Sequence, residues 1–340
     1  MCLVAWVAIR RELVEDLKTY MDDSFSFELA GNLLYYEPYR EFFPAKQTHL
    51  LQLWDYIGLP HERAKQLFGS PLTVIGFDVD PNAMQVSLPP VKKEALVMEL
   101  RRFGVAHRRW TLREFQWLAG WCEWAFNVFP LLKPGLSAVY VKMAGKAKPH
   151  VQMYVNTAVK RELTWMADHM ERSDGLLLYK SLDFCPTDDD VVVAYTDASS
   201  SGLGIWFPDD QFACQCPLLG DAPVDTIFFF EALAVCSAIH ALANMYQVPS
   251  RLLVYTDNTN TVAMFNTLRA KPAYNNILLS AMDVLLEHHV NLCVQHIAGE
   301  ENIIADALSR YQNERAQKFA GDIDISPFEP PRDALGELKK

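Results

Sequence analysis

No apolar run in this 340-residue chain reaches the roughly 18–20 residues that cross a bilayer. The opening MCLVAWVAIRR has an apolar stretch of about eight residues before Arg10 and Arg11. A secretory signal puts its positive charge first, so this order does not fit one. The expectation is an intracellular protein of cytoplasm or nucleus, with no membrane partner and an open oligomeric state. Cysteine is scarce: seven residues, an odd number, scattered from Cys2 to Cys293. That argues for reduced thiols over a disulfide framework. Cys214-Gln215-Cys216 has no second Cys or His pair at zinc spacing nearby, which argues against a zinc site. Internal repeats and low-complexity tracts are also absent.

Positive charge is in deficit overall, 31 Lys+Arg against 42 Asp+Glu, but unevenly. The net charge is −5 over residues 1–90, +7 over 91–180 and −13 over 181–340. The basic middle carries Arg101, Arg102, Arg108 and Arg109, then Lys142, Lys146 and Lys148, with Trp110, Trp117, Trp121 and Trp124 interleaved. Basic and aromatic residues together suit a phosphate backbone with stacked bases. A solvated helix face over a tryptophan-rich core is the plainer reading. Half the chain is hydrophobic, enough for real cores, and the length suits two or three domains.

The last third reads as an α/β segment. Residues 191–196 (VVVAYT), 202–207, 211–216, 251–256 (RLLVYT) and 290–297 have strand character. Residues 228–246, 259–268, 277–288 and 302–310 have helical character. This order implies a mixed five-stranded sheet with flanking helices. Asp197 and Asp257 each end an apolar strand, where α/β sheets bind ligands. Glu231 lies early in an apolar helix, and Asp306 lies in a short helix after His296 and a Gly299 turn. Singly, Asp257 reads better as a helix cap, and Glu231 reads equally as a first-turn acid favoured by the helix dipole. Together, four acids from two strands and two helices can hold two divalent cations around a phosphoryl group. Carboxylate oxygens suit Mg²⁺, with Mn²⁺ as an alternative. His296 stands where it can move a proton to a leaving oxygen.

YTDASSSGLGIW, FFFEALAV, YTDNTN and HIAGEENIIADALSR resemble the four motif blocks of type 1 ribonuclease H, in the form attached to retrotransposon reverse transcriptases. The resemblance implies that Asp197, Glu231, Asp257 and Asp306 bind two Mg²⁺ ions, with His296 auxiliary. It also implies Mg²⁺-dependent endonucleolytic cleavage of the RNA strand of RNA–DNA hybrids, leaving a 3′-hydroxyl. Only 38 residues separate Asp257 from His296, little room for the extra basic helix with which some members grip the hybrid. Grip is therefore expected from Arg101, Arg102, Arg108, Arg109, Lys142, Lys146 and Lys148. YMDD at 20–23, followed by LTVIGFDVD at 72–80, resembles the end of a reverse-transcriptase palm, with Asp22 and Asp23 as its paired carboxylates. Such a palm also needs an earlier metal-binding Asp and a fingers region, for which 19 residues leave no room. The expectation is an incomplete RNA-directed DNA polymerase that needs a missing N-terminal half as partner.

The resulting domain expectation is a palm remnant at 1–90, a helical basic thumb and connection at 91–185, a ribonuclease H-like domain at 186–312 and a flexible tail at 313–340. Two other readings stay open: a catalytically silent, domesticated nucleic-acid-binding remnant, or a nuclease of the same fold acting on DNA.

Overall fold

The computed structural model describes residues 2–11, 14–177, 184–220, 222–224, 226–242 and 251–336. The chain divides into two compact units, Met1–Lys92 with Asp174–Tyr179, and Lys93–Ser173 with Lys180–Lys340. No helix among the described residues is long and apolar enough to cross a membrane.

The first unit holds helix α1 (Cys2–Arg11), hairpin β1 (Lys18–Tyr20) and β2 (Asp23–Phe25), hairpin β3 (Leu33–Tyr36) and β4 (Glu41–Pro44), helix α2 (Ala45–Ile57), and strands β5 (Leu72–Val74), β6 (Phe77–Asp80) and β7 (Gln85–Ser87). Its core is small. Tyr36, Phe43 and Leu51 are buried together, and the Tyr36 hydroxyl donates to Asp55 while His61 bridges Asp55 and Tyr39.

The second unit opens with α3 (Pro90–Phe103), β8 (Arg109–Thr111), α4 (Leu112–Ala125), α5 (Ser137–Met143), β9 (Gln152–Tyr154) and α6 (Thr157–Arg172). Thr111 caps α4 reciprocally: its hydroxyl accepts from Glu114 N–H, and the Glu114 carboxylate accepts from Thr111 N–H. The segment expected to be helical at 91–185 is not helical throughout. Residues 152–154 pair instead with 109–111 as a two-stranded ribbon, and Asn156 caps the helix from Thr157. Extended Gln-Met-Tyr supplies alternate side chains to that ribbon, with only Met153 turned inward. The chain then returns to the first unit, where β10 (Leu176–Leu177) pairs with β7.

The remainder follows the expected order: β11 (Val191–Ala198), β12 (Gly202–Phe207), β13 (Phe212–Pro217), α7 (Ile227–Leu242), β14 (Arg251–Thr256), α8 (Thr259–Thr267), α9 (Asn275–His288), β15 (Asn291–His296) and α10 (Ile303–Ser309). The end of the expected helix over 228–246 lies outside the described residues. The strands form a mixed sheet, β15-β14-β11-β12-β13, with a sixth strand beyond β13. Helix α7 is apolar on all sides because it is enclosed by the sheet and α9.

Two boundaries differ from the sequence reading. Residues 93–173 dock on α9 within one unit, although the sequence divides them from it at 185. Trp165 Nε1 donates to Asp283 at 2.6 Å, Arg161 to Asn276 at 2.6 Å, and Asn275 Nδ2 to the buried Glu162 at 2.9 Å. The expected flexible tail is also folded over its described residues. Residues 313–336 form α11 (Asn313–Ala320), strand β16 (Asp324–Pro327) paired in parallel with β13, and a 3-10 turn at Asp333–Leu335. Their polar composition hides a few well-placed apolar contacts: Ala316 and Ile323 pack on Ala307 and Leu308, and Ala334 and Leu335 join the main core.

Candidate metal centre

The tripeptide Tyr-Thr-Asp occurs twice, and the sheet places the copies side by side. Strands β11 and β14 run parallel with Tyr195 opposite Tyr255, so both strands deliver an aspartate at the same end. Asp197 lies opposite Gly204 of β12, on the antiparallel side. A Cβ on Gly204 would meet Ala305 O at 2.5 Å and Ser309 N at 2.6 Å. The absent side chain therefore lets α10 rest its backbone on β12. The third acid comes from the first turns of α7. Glu231 accepts from the backbone N–H of Ala198 and the hydroxyl of Thr256, both at 3.2 Å.

One oxygen from each of Asp197, Glu231 and Asp257 lies within 4.8 Å of the others. Asp197 and Glu231 are buried and Asp257 is half-buried. Burial first, then the charge of Asp257 and Asp306, pushes the Asp197 carboxyl above its ordinary range. Burial and the charge of Asp197 and Asp257 do the same to Glu231. The hydrogen bonds into Asp197 and Glu231 come from neutral groups, the Ser309 hydroxyl at 2.6 Å and the two donors on Glu231. A compact, buried, oxygen-only set of acids satisfied by neutral donors is what a hard divalent cation suits. The triad is compatible with such an ion.

Asp306 is half-buried in α10 and lies outside that 4.8 Å grouping, but close enough for its charge to act on Asp197. Its two oxygens are taken by guanidinium groups, Arg310 Nε at 2.6 Å and Arg315 Nη1 at 2.8 Å. His296 ends β15 opposite Thr256, one residue before Asp257, and is exposed. The turn after it closes over Asp257: a Cβ on Gly299 would meet Asp257 Oδ2 at 2.9 Å.

Asp22 and Asp23 are exposed at the turn of the β1–β2 hairpin. Among the described residues, the only grouping of three metal-binding side chains is the triad above, so no third acid joins them there. The basic residues are divided. Arg101 pairs with Asp168 and Glu171 on α6, and Arg102 pairs with Glu99 while lying over Trp110. Arg108 approaches the same Trp110 ring at 5.9 Å, and Arg109 lies over Tyr154. Lys146 and Lys148 are exposed and Lys142 is half-buried.

Sequence reasoning missed four participants. Ser309 orients Asp197, and Arg310, the last residue of a motif block, pairs with Asp306. Gly204 admits α10, a role for which a strand glycine is only a weak signal. Arg315 lies in a segment read as loose. Asn302, inside the last motif block, donates its side-chain N–H to Thr196 O at 2.9 Å and ties the start of α10 to β11.

No family model and no curated protein matches the sequence. Solved structures similar to it include ribonuclease H1 of the archaeon Halobacterium salinarum, 16% identical over 36% of this chain and 98% of that one, with a TM-score of 0.30. LC11 ribonuclease H1 bound to an RNA/DNA hybrid is 20% identical over 38% and 98%, with a TM-score of 0.30. A foamy-virus protease–reverse transcriptase bound to double-stranded DNA is 13% identical over 86% of this chain, with a TM-score of 0.38; this chain spans 48% of its length.

Proposed function

We propose that the second unit is a Mg²⁺-dependent ribonuclease H that cuts the RNA strand of an RNA–DNA hybrid. The observation that carries this is the convergence of Asp197, Glu231 and Asp257 within 4.8 Å, in a sheet where two Tyr-Thr-Asp strand ends lie side by side. Asp197, Glu231 and Asp257 would hold a first ion, and Asp306 beside Asp197 would serve a second, Mn²⁺ being an alternative to Mg²⁺. When bound, such ions offset the charge that builds on a phosphodiester as its P–O bond breaks.

The chain's own groups prepare that site. Ser309 fixes one oxygen of Asp197, and Ala198 N–H and Thr256 fix both oxygens of Glu231, so the acids are oriented before substrate arrives. Water attacks phosphorus and releases a proton to solvent, the bond to O3′ breaks, and His296, exposed beside Asp257, gives a proton to the departing oxygen and regains one from solvent. The products are a 3′-hydroxyl and a 5′-phosphate. Residues 93–173, docked on the same unit, are read as the grip on the hybrid, with Arg108 and Arg109 as phosphate contacts. Residues 1–90 are read as part of a reverse-transcriptase palm carrying Asp22 and Asp23.

The test is an end-labelled RNA–DNA hybrid incubated with the full chain, with and without Mg²⁺, beside Asp257→Asn. Cleavage of RNA alone that stops without Mg²⁺ and in Asp257→Asn, while hybrid binding persists, is the expected result. Absence of cleavage by the folded wild-type chain in Mg²⁺ and Mn²⁺ refutes the proposal.

A further inference from the structure

Asp306 differs in kind from Asp197 and Glu231. Asp197 and Glu231 accept from neutral donors, whereas each oxygen of Asp306 faces a guanidinium. The two arginines reach it by different routes. Arg310 follows Asp306 by one turn at the end of α10, so it moves with that carboxylate. Arg315 comes from α11, beyond a reversal at Tyr311, whose φ is +58°. Helix α11 is fixed independently of Asp306: Ala316 is fully buried against Ala307 and Leu308, and β16 pairs beyond it with β13. The arm that delivers Arg315 is thus built into the sheet. Its ion pair can still open without unwinding either helix, because the Arg315 side chain is 43% exposed.

We propose that Arg315 is a built-in counter-cation for Asp306 that governs binding of a second divalent ion. This rests on reading the triad as a divalent-cation site. With Arg315 in place, Asp306 is already neutralised, and the triad alone takes an ion tightly. A second ion takes Asp306 as a ligand only when Arg315 lets go. Partly exposed ion pairs hold weakly, so a doubly charged ion at sufficient concentration displaces the guanidinium. Arg315 is a positioning residue here; it acts on the second ion through Asp306. The effect is to separate the two binding events in concentration, and to give residues 313–327 a role in the chemistry of the site.

The experiment is a Mn²⁺ titration of the full chain, followed by calorimetry and by electron paramagnetic resonance counting of free Mn²⁺, without substrate. Wild type is expected to show one tight and one weak site. Arg315→Gln should leave the tight site within about twofold and tighten the weak one about tenfold, the scale of removing one partly screened unit charge a few ångströms away. Arg315→Lys, which keeps the charge, should resemble wild type. Asp306→Asn should abolish the weak site with either residue at 315. Thermal melts confirm folding, and Arg315→Met, which keeps the stem, stands in if the glutamine variant unfolds. Identical weak-site affinity in wild type and the neutral variant, with the tight site present, overturns the counter-cation role and leaves the triad reading intact. A folded wild type that binds no Mn²⁺ overturns the triad reading, and this inference with it.

Discussion

Gly204→Ala probes the contact that brings α10, and with it Asp306 and Ser309, onto the sheet. An alanine Cβ at 204 would stand 2.5 Å from Ala305 O, 2.6 Å from Ser309 N and 2.8 Å from Leu308 Cβ, where ordinary contact begins at 3.4 Å. Two of those atoms are backbone, so no side chain can swing away, and β12 and α10 must part by about 0.8–1 Å. Overpacking of this kind costs about 1–3 kcal/mol. For a unit of this size each kcal/mol lowers Tm by roughly 2–4 °C, so a fall of about 2–12 °C is expected. The retreat of α10 also pulls the Ser309 hydroxyl from Asp197, now 2.6 Å away. A misplacement near 1 Å costs on the order of 10²-fold in rate. The assay is a thermal melt of wild type and variant with hybrid cleavage in Mg²⁺. Gly220→Ala is the control: nothing lies within 4 Å of its added Cβ, so it should change stability by less than about 0.5 kcal/mol. A Gly204→Ala protein with wild-type Tm and cleavage would refute the close approach and the account of how α10 is seated.

Two further outcomes are expected. Burial raises the Glu162 carboxyl from 4.5 to about 7, against the hydrogen bonds from Ala138 N–H and Asn275 that favour its charge. The folded state then keeps a proton that the unfolded chain releases between pH 4.5 and 7, so Glu162 makes stability fall across that window, by at most about 1.4 kcal/mol per pH unit, and stay flat above it. Glu162→Gln removes that slope, and urea melts should show it gaining about 3 kcal/mol relative to wild type between pH 4.5 and pH 8; an equal difference at the two pH values contradicts the raised carboxyl. For hybrid binding, Arg108→Ala and Arg109→Ala should flatten the salt dependence more than Arg101→Ala, because Arg101 is already paired with Asp168 and Glu171. Equal slopes for the three variants would reject Arg108 and Arg109 as the phosphate contacts.

The sequence alone determined the strand ends and the acids on them. VVVAYTD and LLVYTD are apolar runs that stop at a carboxylate, and such a run has few ways to fold other than as a buried strand with its charge at the rim. Element order from residue 191 to residue 309 was legible for the same reason: hydrophobic period and turn residues are local properties. The sheet register was not, since pairing Tyr195 with Tyr255 depends on 59 intervening residues and on α7 filling the space beneath. The tertiary structure alone decided that Asp306 faces two arginines and that Gly204 is an empty seat for a helix. It also decided that a polar tail forms the sheet's sixth strand and that 93–173 docks on α9. Each of these depends on contacts between segments far apart in the chain, and composition carries no record of them: Ala316 and Ile323 look incidental until the sheet supplies the surface they cover.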